Sequence, residues 1–313
     1  MVDRLKLSFL LIETTFLMIQ LPYIEPVFRP PSEWKSLILQ VTNGCSWNQC
    51  TFCDMYTQPQ KKFRPKPQTD IDQELQLVAQ TGTHVGRVFL ADGDALVLSF
   101  KRLYQILESI NRNLPGVTRV SAYCLPRNLN NKTVEELKEL KDMGLSLVYV
   151  GCESGDDTVL SAISKGETYQ SSMDALLKLK QAGIKSSVMI LNGMGGQTLS
   201  KQHAVHSARL MNETQPEYLS TLVVSYPMGD QRVVEGFKGN YQLPDTQGLI
   251  QEMYWLMDGL ELTNTIFRSD HASNYLVLKG TLNKDKGTIM EKIELALNQS
   301  DRIQLRPEWS RGL

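Results

Sequence analysis

Apolar residues along this chain repeat in two different periods. Short runs such as Val88-Phe89-Leu90 and Leu147-Val148-Tyr149-Val150 are apolar throughout, as strands covered on both faces are. Between such runs, apolar residues recur every three or four positions; Ile71, Leu75 and Val78 share one face of a helix over 71–80. The pattern predicts strands at about 36–42, 87–91, 118–124, 146–152, 185–191 and 218–225. Helices are expected between them at 99–113, 133–143, 169–181 and 198–212. Repeated strand–helix units imply crossovers, hence a parallel sheet with helices packed on it. Six strands suit a partial barrel or a doubly wound sheet, and in both, function collects at the C-terminal strand ends.

The flanks read differently. Pro22, Pro26, Pro30 and Pro31 break helices and central strands, so an extended arm should lead into the first strand. Beyond Asp230 come a glycine break (Gly236, Gly239), a helix at 246–257, a strand near 265–268 and a last helix at 285–297. This region is expected to close the open side of the sheet. The division is an N-terminal arm at 1–35, a core at 36–230 and a C-terminal accessory region at 231–313.

With 313 residues, 42% of them hydrophobic, one large core is the default. The net charge of -1, with acidic and basic residues interleaved, gives no indication of nucleic acid as a partner. Met1 to Leu21 carries Arg4 and Lys6 before two apolar runs, but Glu13 interrupts them and the stretch is short for a membrane span. It is read as an N-terminal extension with Met18 as the functional start, and no membrane is expected. The basic stretch Lys61, Lys62, Arg64, Lys66 reads as a solvated loop, or as one that meets an anionic substrate. His84, His203 and His206 read as surface residues.

The chemistry centres on Cys45-Ser-Trp-Asn-Gln-Cys50-Thr-Phe-Cys53, directly after the first strand. Five cysteines, three of them clustered, indicate metal binding in a reducing compartment such as the cytoplasm and not a disulfide framework. A closed zinc site or an electron-carrying iron–sulfur cluster uses four protein ligands; three leave a position open for chemistry.

This loop resembles the C-x3-C-x2-C cluster loop of radical S-adenosylmethionine (SAM) enzymes, with Phe52 at the aromatic position before the last cysteine. It departs in its first gap, which holds four residues. The resemblance implies a partial (β/α)6 TIM-like barrel and a [4Fe-4S] cluster on Cys45, Cys50 and Cys53 whose fourth iron binds SAM. It further implies reductive cleavage of SAM to a 5′-deoxyadenosyl radical that takes hydrogen from a small-molecule or other substrate. An electron donor such as a flavodoxin or ferredoxin would be needed.

Other strand ends continue the resemblance. Asp92-Gly93-Asp94 stands where the family has Gly-Gly-Glu, which meets the SAM ammonium group. Gly151-Cys152-Glu153-Ser154-Gly155 resembles a segment in which the Glu and Ser contact the methionine or ribose portion. In Asn192-Gly193-Met194-Gly195-Gly196, Gly193 and Gly195 would let backbone approach adenine. His271 with Ser273 suggests a structural cluster or a place in the substrate pocket. The alternative reading is an iron–sulfur or zinc protein for electron transfer or scaffolding. That reading requires Cys124 or Cys152 as a fourth ligand.

Overall fold

The computed structural model describes residues 21–311. The expected extension and Met18 start therefore lie outside the described residues. Eight strands form one sheet in sequential order: β1 (Leu37–Gln40), β2 (Arg87–Ala91), β3 (Arg119–Cys124), β4 (Leu145–Glu153), β5 (Lys185–Asn192), β6 (Tyr218–Val223), β7 (Ile266–Ser269) and β8 (Leu278–Thr281). β1 to β7 run parallel, and β8 returns antiparallel to β7.

The helices are α1 (Gln68–Gln80), α2 (Phe100–Asn113), α3 (Val134–Asp142), α4 (Asp157–Ala162), α5 (Tyr169–Ala182), α6 (Gly196–Thr214), α7 (Gln231–Gly236), α8 (Thr246–Gly259) and α9 (Lys286–Asn298). α2, α3, α4, α5 and α8 start at side chains, Ser99, Thr133, Asp156, Thr168 and Asp245, that satisfy an unpaired first-turn amide. Thr133 and Glu136 form a reciprocal capping box on α3, while Asp245 accepts from Gly248 N at 2.8 Å on α8.

Strand alternation sorts the residues. Val88, Leu90, Val120, Cys124, Val148, Cys152, Val188, Leu219 and Phe267 face the helices in one buried core. The intervening positions form the inner face, where Phe89, Tyr123 and Tyr149 meet edge to face with centroids 5.1–6.2 Å apart. In register across that face lie Gly151, Met189, Ser220 and Arg268.

The α/β architecture is as expected, but the sheet stays open: β1 pairs with β2 alone and β8 with β7 alone among the described residues. The C-terminal region does not close it. Instead β7 lengthens the parallel run because Phe267 joins the helix-side core, where α8 packs on α6 and α9.

The proline-bearing arm lies against β1: Tyr23 donates to Ile38 O at 2.9 Å, and Ile24 N donates to Gln40 Oε1 at 2.9 Å. Farther along the arm, buried Glu33 accepts from Arg119 at 2.8 Å and from the Tyr149 hydroxyl at 2.6 Å. Burial alone would raise Glu33, but hydrogen bonds from Ser36 and Tyr149 and the Arg119 charge hold it below the usual carboxylate range.

Candidate active site

The cysteine loop leaves the C-terminal edge of β1 through Gly44. At φ +71°, with Lys61 O only 2.0 Å from where a Cβ would sit, this position admits glycine alone. Every following turn of the loop is fastened to another element. Ser46 donates through its N (2.9 Å) and its hydroxyl to Asp94, which also accepts from Asn128 at 3.3 Å. Trp47 donates to Ser164 O at 2.8 Å, and the Arg127 guanidinium stacks 3.9 Å above its ring while pairing with Glu167 at 2.7 Å. Thr51 N donates to Ile163 O at 3.0 Å.

Arg232 of α7 completes the brace. It donates to Cys50 O at 3.5 Å and Cys53 O at 3.2 Å, and it pairs with Asp54. Replacing it with Gln is expected to leave the unfolding midpoint nearly unchanged, because the side chain is 46% exposed. Iron bound by the reconstituted protein should instead be lost to a chelator about fivefold faster, equivalent to about 1 kcal/mol for lost charge-assisted hydrogen bonds.

The three thiols are half-buried. Burial raises the pKa of each, pushing Cys50 up to about 12, with the Cys53 and Cys45 thiols and Glu153 adding to the rise at Cys50 and Lys165 opposing it. They are near enough to perturb one another, and as thiolates they need a cationic group to offset their charge, so the donor set fits an iron–sulfur cluster. Among the described residues no three His, Cys, Asp or Glu side chains converge on the point a single ion would occupy. Cys124 and Cys152 sit in the helix-side core, where burial raises both.

Asp92 and Asp94 have different tasks. Asp92, expected to meet a ligand ammonium, already holds one: its Oδ2 accepts from Lys61, from Gln40 at 2.9 Å and from Gly44 N at 3.1 Å. Lys61 is therefore not part of a solvated loop; it is fully buried, and Lys66 pairs with Glu74 at 2.5 Å. Asp94 is also buried, which raises its pKa against the lowering effect of Ser46 and Asn128. Both carboxylates hold the cysteine loop in place.

Gly93 lets that loop approach: a Cβ would lie 2.8 Å from the Tyr56 ring and 2.9 Å from Cys45 Cβ. Gly93→Ala is expected to destabilise the protein by about 1–3 kcal/mol through overpacking, readable as a lower urea midpoint with unchanged slope.

Glu153 lies at φ +63°, beyond an irregularity in the β4–β5 register, and pairs with Lys165 at 2.9 Å. Burial would lower Lys165, but Glu153 and Cys50 outweigh it and keep the ammonium charged. Ser154 is satisfied internally. His203 Nε2 lies 3.1 Å from Leu191 O and donates there; in a neutral imidazole Nδ1 then accepts from Ser154 Oγ at 2.7 Å. His203, expected at the surface, is thus buried between two strand exits, with the Ser154 hydroxyl against its ring.

Gly193 and Gly195 are likewise covered. The Cβ position of Gly193 (φ +92°) is 2.9 Å from both Leu243 and Leu249, and that of Gly195 is 2.9 Å from Leu199 backbone. Tyr241 OH donates to Gly193 O at 3.0 Å, and buried Glu252 accepts from Gly193 N at 2.6 Å, Asn192 at 2.7 Å and Ser200 at 2.5 Å. Gly193 thus admits close packing of Leu243 and Leu249, and Gly195 that of its own helix. Lys61, Lys165, Glu252 and Arg232 went unseen as site residues because no local pattern marks a charge whose partner is remote in sequence.

The family model described as the radical SAM superfamily matches residues 39–208. Among curated proteins, the chain is 24% identical over 168 residues to the heme chaperone HemW of Bacillus subtilis, covering 51% of this chain and 43% of that protein. It is 25% identical over 157 residues to a putative methylthiotransferase of Methanocaldococcus jannaschii, covering 48% and 33%. The chain spans less than half the length of these relatives. Among solved structures, coproporphyrinogen III oxidase (HemN) from Escherichia coli, a radical SAM enzyme, superposes with a TM-score of 0.53 at 17% identity, covering 72% of this chain and 52% of that one. That likeness concerns the fold.

Proposed function

The chain belongs to the radical SAM superfamily, and on that premise we propose that Cys45, Cys50 and Cys53 hold a [4Fe-4S] cluster with one iron left for SAM. The observation that carries this reading is the ligand count: three thiols on one braced loop, with Cys124 and Cys152 committed to the opposite, helix-facing side of the sheet. A closed electron-transfer or zinc site would need a fourth ligand there.

The chemistry these cofactors supply when bound is one-electron cleavage of SAM to methionine and a 5′-deoxyadenosyl radical, which takes a hydrogen atom from the substrate. The chain's residues set up the conditions for it. Lys165 places positive charge beside Cys50 and stabilises it as a thiolate. Asp94, through Ser46, and Arg232, through the Cys50 and Cys53 carbonyls, fix the spacing of the loop. With Asp92 and Asp94 engaged by the cysteine loop and its neighbours, Gly93 and the backbone around Glu153 are our choice for contacts to the methionyl end of SAM. The covered Ser154, Gly193 and Gly195 would support those contacts from behind.

The inner face out to Arg268 is the substrate side, with the core at 36–230 carrying the cofactors and 231–313, the accessory region, extending the sheet beside them. A flavodoxin- or ferredoxin-type electron donor completes the scheme, in a reducing compartment such as the cytoplasm. No helix among the described residues is long and apolar enough to cross a membrane.

The test is paramagnetic resonance of the reconstituted, dithionite-reduced protein. A [4Fe-4S] signal that changes when SAM is added supports the reading; a signal indifferent to SAM opposes it.

A further inference from the structure

Some of the charges facing the inner sheet surface are answered in pairs, whereas Arg87, Lys185, Arg268 and, opposite Arg268 on β8, Lys279 make no ion pair among the described residues. Arg119 meets Glu33 at 2.8 Å, and Glu153 meets Lys165 at 2.9 Å. Arg268 of β7, exposed and two strands from Met189 in the row that begins at Gly151, donates only to the carbonyl of Phe267, at 3.0 Å. No carboxylate lies within ion-pair distance of it among the described residues; Asp270, two positions on, is exposed and makes no such pair.

A second donor stands at the same strand exit. Ser273 N donates to His271 Nδ1 at 3.1 Å, so in neutral imidazole the proton is on Nε2. Burial and the nearby Arg306 lower the His271 pKa and favour that neutral form. Beside Arg268 in register is the half-exposed hydroxyl of Ser220.

We propose that Arg268, seconded by His271, is a substrate-recognition site for an oxyanion, so that the substrate carries a carboxylate or phosphate. A guanidinium offers a planar fork of donors that such a group accepts bidentately, and Lys279, at the paired position on β8, adds a second positive charge. The cysteine loop follows the first strand and Arg268 lies on the seventh, which sets the substrate anion apart from the methionyl end of SAM. The assignment rests on the reading of the inner face as the substrate side.

The test uses calorimetric titration of the reconstituted full chain at low salt with 3-phenylpropionate, phenyl phosphate and uncharged 3-phenylpropanamide, which share a phenyl ring and differ in the charged group. At least one anion should bind the wild type about tenfold more tightly than the amide. Arg268→Gln should abolish that preference and Arg268→Lys keep part of it; whichever anion binds tighter tells carboxylate from phosphate. Absence of a preference in the wild type, or a preference that survives in Arg268→Gln, overturns the proposal. So does loss in Arg268→Gln of a wild-type cluster response to SAM, since Arg268 would then serve the SAM carboxylate. If the wild-type cluster does not respond to SAM at all, the radical SAM reading fails while the anion preference is still read separately.

Discussion

Lys61→Met should destabilise the protein by about 3–5 kcal/mol, the usual cost of removing one partner from a buried ion pair. Both Lys61 and Asp92 are fully buried, and Lys61 also donates to Ile24 O at 2.8 Å. Methionine nearly matches the length of lysine, so little volume is lost; what remains is a carboxylate with no counter-charge, whose Oδ1 has no partner among the described residues. The double variant Lys61→Met/Asp92→Asn should recover most of the loss, because removing both charges removes the desolvation penalty with the attraction. Urea unfolding of the cluster-free protein measures both. A single variant within 1 kcal/mol of wild type would show that the pair is not held as described. Because Asp92 also accepts from Gly44 N at 3.1 Å, the single variant should loosen the base of the cysteine loop as well.

The second large effect concerns the thiols. Cys50→Ala should abolish the response of the cluster to SAM, whereas Cys124→Ala/Cys152→Ala should retain iron, sulfide and that response. The latter two occupy the core as small apolar groups, and their loss should cost stability alone, about 1–3 kcal/mol together. Iron and sulfide analysis with paramagnetic resonance distinguishes the variants. Cluster loss in the double variant would make one of the core cysteines a ligand and support a closed site.

These contrasts show which features could be read along the chain. The strand–helix order was legible because Val88, Leu90, Val148 and Val150 are covered on one side by helices whose own three-to-four-residue repeat is equally plain. The thiol loop was visible because its donors lie within nine consecutive positions. Partners set by tertiary packing were not. Lys61 and Asp92 are 31 positions apart, Gly193 and Glu252 are 59 apart, and Arg232 reaches back 179 positions to Cys53. Single charges of this kind look like solvated surface until the fold closes over them. The same limit applied to His203, whose helix reads as amphipathic although that ring lies beneath two strand exits. The fate of the last 80 or so residues was hidden for a related reason: a four-residue strand such as β7 can extend a sheet or cap it, and only its pairing with β6 decides.

The open three-thiol site is expected to support cleavage of SAM. The most direct test is anaerobic reconstitution with iron and sulfide, reduction with dithionite, addition of SAM, and chromatography for 5′-deoxyadenosine. 5′-Deoxyadenosine is expected from the wild type and none above background from Cys50→Ala. A wild type that holds its iron and sulfide yet forms no more 5′-deoxyadenosine than Cys50→Ala would contradict that expectation.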